Sequence, residues 1–194
     1  LTALALALPF VALADVVPQE SAFWADEVAS GELPPVADRL PAHPLVVNLA
    51  AKGREPGLQG GTLNTMVTRS KDIRQMVVYG YARLVGYNEA YDLVPDILEG
   101  FDNEGDRKFT FHLRPGHKWS NGDPFTSADF DYWWTHIANN AELNPTGPPD
   151  FVMVEGEVPT VTFPDETTVV FEWTKPNPGF LQTLAQAVPP FIYR

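Results

Sequence analysis

Apolar and polar side chains alternate across residues 109–114, with Phe109, Phe111 and Leu113 interleaved by Thr110, His112 and Arg114. A period of two buries one face of a strand. Pro115-Gly116 ends the run, because proline donates nothing to a ladder. Asn121-Gly122 predicts a turn. Thr126 stands three residues before Asp129, the spacing of an N-cap, although Asp in place of Glu makes an imperfect capping box. A helix should therefore start at Ser127. Phe130, Trp133 or Trp134, and Ile137 recur at helical spacing, giving that helix an aromatic face that buries roughly 150–250 Å² per ring.

Elsewhere the pattern is shorter-ranged. Phe23, Trp24, Glu27 and Val28 have rough helical spacing within residues 20–30, and Gly31 is a stop signal. Pro34-Pro35 separates a second helical turn over 36–40. Residues 41–61 read as a connector punctuated by Pro41, Pro44, Pro56 and four glycines. Leu63, Thr65 and Val67 alternate as in a strand. Residues 72–85 carry Met76, Val77, Tyr79 or Gly80, and Leu84 at helical spacing and predict a helix. Residues 102–106, Asp-Asn-Glu-Gly-Asp, predict a hairpin turn between two antiparallel strands. A second hairpin is expected from 158–163 and 167–173 around Pro164-Asp165-Glu166. Pro176 and Pro178 then open a helix over 179–187, since proline is tolerated only in a first turn.

The order Phe111-x-Leu113-Arg114-x-Gly116-x-x-Trp119-Ser120-Asn121-Gly122-x-Pro124-Phe125-Thr126-x-x-Asp129-Phe130 resembles the hallmark of family 5 extracytoplasmic solute-binding proteins, the peptide-type receptors of ABC importers. Asn121 stands where Asp is commoner. A second group, Asp165-x-x-Thr168-Val169-x-Phe171 followed by Pro178 and Phe180-Leu181, resembles the same family. The resemblance covers residues 59–194. It implies an α/β fold, a mixed α+β lobe belonging to a two-lobed periplasmic-binding-protein-like clamp with a hinge. On that reading 1–14 is a signal-peptide remnant and 15–58 an N-terminal helical extension and connector. Residues 59–70 would be the first strand of the main lobe, and 71–194 the smaller lobe, with the C-terminal remainder missing. The implied function is capture of an oligopeptide or related solute, without turnover, for an ABC permease complex in the membrane. A monomer is expected.

Composition changes this picture at one end of the chain. Residues 1–14 hold no charge and finish Ala12-Leu13-Ala14, which fits the apolar region and cleavage site of a secretory signal. The run is too short to span a bilayer, and the chain starts on Leu with no basic region, so it reads as truncated there. Export to the periplasm or the outer face of the cytoplasmic membrane is expected. The chain has no cysteine, which excludes a disulfide framework and thiol chemistry. Against 13 basic residues stand 25 acidic ones, a net charge of −12 that disfavours nucleic-acid binding.

Candidate chemistry is sparse. His43, His112, His117 and His136 lack ligand-like spacing, so no metal or cofactor is expected. Asp123, Asp129 and Asp131 could be proposed as a glycosidase pair, but a turn and a helix N-terminus explain the first two better. There is no Gly-x-Ser-x-Gly elbow and no phosphate loop, so nothing supports an enzyme. Trp119, Trp133, Trp134 and Trp173 fall where a core needs large residues, though the same rings could stack on sugars. A secreted carbohydrate-active enzyme or carbohydrate-binding module is thus the alternative, and a structural or adhesive domain a third. In the family the crossover after the first strand borders the interlobe cleft. Here it reads Arg69-Ser70-Lys71-Asp72, where a cation could meet a ligand carboxylate and Asp72 an amine. Equally, Asp72 could cap the helix that follows while the cations stay solvated. Phe151, after a proline-rich loop over Asn144 to Asp150, is a further cleft candidate.

Overall fold

The computed structural model describes residues 18–58, 60–76 and 82–186, with backbone alone at 74–76. The apolar leader over 1–14, the middle of the helix expected over 72–85 and residue 187 at the end of the helix expected over 179–187 lie outside the described residues. The chain divides into two compact units. One takes the described residues up to Asp38 with those of Val46–Gly60, the other Arg39–Leu45 with the described residues from Gly61 onward.

In the first unit a 3-10 turn, Ala22–Trp24, runs into α1 (Ala25–Ser30). The Ser21 hydroxyl accepts the Phe23 N–H at its start, and Gly31 at φ 79° ends it, as the glycine signal requires. The short α2 (Val36–Arg39) follows, its first N–H bonded to the Glu20 carboxylate at 2.9 Å. These helices bury no residue, and Phe23 is 74% exposed.

The second unit carries the core. A small hairpin pairs β1 (Val85–Tyr87) with β2 (Leu93–Pro95). A four-stranded antiparallel sheet follows, built from β3 (Leu98–Glu104), β4 (Lys108–Leu113), β5 (Thr160–Asp165) and β6 (Thr168–Glu172) in the order β3-β4-β6-β5. Both expected hairpins are present. In the first, the Arg107 N–H closes on the Glu104 carbonyl with Gly105 and Asp106 both at positive φ, the geometry that matches strand twist. Asn103 makes Asp106 tolerable there, taking its N–H at 2.8 Å.

The alternation on β4 is realised: Phe109, Phe111 and Leu113 are buried, while Thr110 and His112 reach the half-buried opposite face. Phe109 pairs with Asn103 on one side and Phe171 on the other. Over this face lie α3 (Ser127–Tyr132), a π-helical continuation (Trp133–Ala138) and α4 (Phe180–Leu184). Trp133 and Ala138, five residues apart, are both buried, a step that the wider π turn puts on one face. Phe180 is the hub. Its ring meets Phe109, Phe111, Phe171 and Trp173 at 5.0–5.9 Å between centroids.

The imperfect capping box forms in full. Asp129 accepts the Thr126 N–H at 2.8 Å and Thr126 accepts the Ala128 N–H, and the same carboxylate also takes the Trp119 indole N–H at 3.1 Å. Ser127 then ties α3 to the β5–β6 turn, with its N–H on Glu166 and its hydroxyl on Asp165.

One expectation fails. Residues 72–85 are not one helix: a 3-10 helix occupies Ser70–Met76, and Val85 is already in a strand. The Arg83 and Leu84 carbonyls are taken by the N–H groups of Ile97 and Leu98, so ladder pairing outweighs local helical spacing. Residues 61–67 form no ladder, and Leu63 and Met66 are 73% and 98% exposed. Alternation alone makes no strand where no neighbouring strand, among the described residues, satisfies its backbone.

Truncating the hub, Phe180→Ala, should destabilise this unit by about 3–5 kcal/mol in denaturant unfolding. A second expectation concerns His117, whose Nδ1 is buried with no partner among the described residues. Burial pushes this imidazole below its ordinary 6.5, and the Arg114 cation adds in the same direction. The unfolded chain therefore binds the proton first, so this contribution to stability is present above pH 6.5 and is lost as pH falls from there toward the folded value. His117→Phe should flatten that part of the stability profile, measured by urea midpoints across pH.

Candidate ligand-binding site

The four crossover residues lie together at the start of the Ser70–Met76 turn. Asp72 stands third in that turn, and its carboxylate accepts the Arg69 N–H at 3.0 Å. The same Oδ2 lies 3.6 Å from the Arg69 Nε. Asp72 thus acts as the reciprocal half of a helix cap, which leaves it half-buried while Arg69, Ser70 and Lys71 remain exposed. One ordered carboxylate thereby presents two cations and a hydroxyl to solvent. Phe151 sits elsewhere on the unit, in a 3-10 turn at Asp150–Val152. Its half-buried ring stacks on Phe180, 6.3 Å away at 10° between planes, and approaches Trp133 at 6.1 Å.

The carboxylates considered for catalysis have local partners. Asp129 is taken up by the cap and indole, Asp123 accepts the Asn121 amide at 2.9 Å, and Asp131 accepts the Thr135 hydroxyl at 3.0 Å. His112 pairs with Asp102 at 2.9 Å and His43 with Glu99 at 3.1 Å, all on exposed surface. Trp133 and Trp173 are core residues, with the Trp173 indole donating to the Val152 carbonyl, while Trp119 and Trp134 are partly buried against the same core.

Two depressions escaped sequence reasoning. A cleft of about 510 Å³ lies beside the β1–β2 hairpin, lined by Leu45, Arg83, Tyr87, Val94, Pro95 and Asp96. It was hidden because residues through 85 read as helix. The Asn88 side chain, which accepts the N–H groups of Ala90 and Asp92, was the available turn signal. A second depression of about 530 Å³ opens at the end of the main sheet, where Lys108 pairs with Glu104 at 2.8 Å and Glu157 and Glu172 line the wall. Thr174, through its N–H and hydroxyl, holds the Glu157 carboxyl below the usual carboxylate range. Such surfaces offer charge-assisted hydrogen bonds to a polar solute, with no nucleophile and base brought together among these groups.

Comparison with known proteins bears on these surfaces. Residues 92–193 match the family model of bacterial extracellular solute-binding proteins, family 5 Middle. The periplasmic alpha-galactoside-binding protein of Rhizobium meliloti (strain 1021) is 29% identical over 175 residues, 78% of this chain and 24% of that protein. The periplasmic oligopeptide-binding protein OppA of Escherichia coli (strain K12) is 48% identical over 51 residues, 26% of this chain and 9% of that one. Among solved structures, an oligopeptide-binding protein OppA superposes with a TM-score of 0.71 at 31% identity, over 87% of this chain and 26% of its own. The periplasmic binding protein MelB from Agrobacterium fabrum C58, in complex with stachyose, shares the fold at a TM-score of 0.54 and 22% identity, over 87% of this chain and 29% of its own. This chain spans less than a third of the length of each of these relatives.

Asp72→Ala should release the Arg69 N–H and fray the turn that carries the exposed cations. The expected readout is faster amide hydrogen exchange at 69–73 with a global stability loss of only about 0.5–1 kcal/mol.

Proposed function

We propose that this chain, which belongs to the bacterial extracellular solute-binding proteins of family 5, serves as the smaller lobe and N-terminal extension of the substrate-binding component of an ABC importer. Its solute is an oligopeptide or a related molecule. The observation that carries this reading is the superposition on an oligopeptide-binding protein over most of the chain, at an identity that supports more than a shared fold. In this scheme residues 15–58 are the extension, 59–70 the first strand of the main lobe, and 71–194 the smaller lobe. The unpaired, exposed alternation at Leu63 and Val67 fits a strand that completes its ladder in the main lobe.

Mechanistically, a clamp of this kind works by differential contact. Solute enters between lobes, closure about the hinge removes water, and the closed form is the one a membrane permease receives. Arg69, Ser70 and Lys71 are assigned to the solute, with Asp72 ordering the turn that presents them and Phe151 offering its half-exposed ring from the lobe. Work of this type requires export, so the periplasm or the outer face of the cytoplasmic membrane is the place proposed for it, and a monomer the form.

A second reading has its own support. The alpha-galactoside-binding relative aligns over more of the chain than the oligopeptide-binding sequence named with it, which favours an oligosaccharide as the alternative solute.

Protein expressed from the complete gene should carry peptides through purification, identified by native mass spectrometry. Recovery of an oligosaccharide instead would sink the peptide reading and support the second. Arg69→Ala or Lys71→Ala should weaken binding about tenfold, the effect of one hydrogen bond to a charged group, and unchanged calorimetric affinity in both would remove the crossover from the site.

A further inference from the structure

The turn between Lys118 and Pro124 holds a reactive pair that the solute-binding role does not use. Asn121 and Gly122 are exposed, and Gly122 adopts φ 91°. An asparagine followed by glycine is the pairing least hindered toward succinimide formation, since no side chain shields the attacking nitrogen. Here both reacting groups are occupied. The Gly122 N–H donates to the Trp119 carbonyl at 2.9 Å, closing the turn. The Asn121 amide Nδ2 donates to Asp123 Oδ2 at 2.9 Å, and its Oδ1 accepts the Asp123 N–H at 3.1 Å. Lys118 and Pro124 form an isolated bridge across the base, and the Trp119 N–H and Asp123 carbonyl bond at 2.8 Å.

We propose that Asn121 is a deamidation site gated by opening of this turn, and that the reaction converts the Asn121–Asp123 contact from attraction to repulsion. When the turn opens, the Gly122 nitrogen loses its proton and attacks the Asn121 Cγ. The new C–N bond closes a succinimide, and the side-chain nitrogen leaves as ammonia. Water then opens the imide at either carbonyl, yielding aspartate or isoaspartate. In the aspartate product a carboxylate replaces the amide that donates to Asp123, so two like charges face each other across a former hydrogen bond. In the isoaspartate product the backbone gains a methylene, which the closed 118–124 bridge cannot accommodate. Both products loosen the segment that presents Trp119 to Asp129, so the deamidated lobe is less stable than the original.

The test is a time course of the full-length protein at mildly alkaline pH, native and in denaturant, read by peptide mapping at Asn121. Deamidation should be readily seen in denaturant and about tenfold or more slower in native buffer, tracking exchange of the Gly122 amide. Asp123→Ala should raise the native rate, and Asn121→Asp should lower the urea midpoint in a way that Asp123→Asn reverses. Equal rates in the two states, or none in denaturant, would overturn the gated site. A midpoint untouched by Asn121→Asp would overturn its consequence. Should Asp123→Ala fail to fold, the native-against-denatured comparison and the Gly122 exchange rate decide alone.

Discussion

The inner strand β4 of the main sheet has to bury Phe109, Phe111 and Leu113 on one face while both its edges stay bonded, and the second unit is organised around that demand. Aromatic rings of this size cannot be covered by the sheet itself. They need a second layer, which α3, its π continuation and α4 provide, with Phe180 inserted among Phe109, Phe111, Phe171 and Trp173. Bonding both edges requires β6 to return beside β4 from far along the chain, pairing Phe109 with Phe171 and Phe111 with Val169. The covering helix and the returning strand are therefore parts of one solution.

Asp129 and Ser127 make that solution specific. A single buried carboxylate caps α3 and holds the Trp119 indole, which fixes the preceding turn against the helix. Ser127 bonds the β5–β6 turn through two groups, and the Leu113 N–H reaches the Thr167 carbonyl at 2.7 Å. Strand, turn, helix and the distant hairpin are thus joined by polar contacts. A half-satisfied version would leave buried donors unpaired. This explains why the segment that carries the family resemblance is a scaffold: its residues are engaged with one another.

Much of the fold was legible in advance because its signals are local. The alternation over 109–113, the Thr126–Asp129 spacing and the turn at Gly105-Asp106 each depend on neighbours within a few residues, and each is realised. The same holds for Gly31 and for the helix that follows Pro178. Of the site expectations, the crossover turn was readable as a cap at Asp72, whereas the core packing of Phe151 was not, since stacking on a ring 29 residues away leaves no local mark.

By itself, then, the chain's sequence determined its strands with strict alternation, its capped helix, its turns and its aromatic core, because backbone geometry and side-chain spacing decide these over short distances. Tertiary structure decided the rest. Val85 joined a strand despite helical spacing because β2 and the N–H groups of Ile97 and Leu98 claimed the backbone around it. Residues 61–67 alternate yet carry no ladder, because a strand is defined by its partner. Arg114 illustrates the point in one side chain: buried in the signature, it donates to the carbonyls of His43 and Asp96, two acceptors far apart along the chain that only folding brings to one guanidinium.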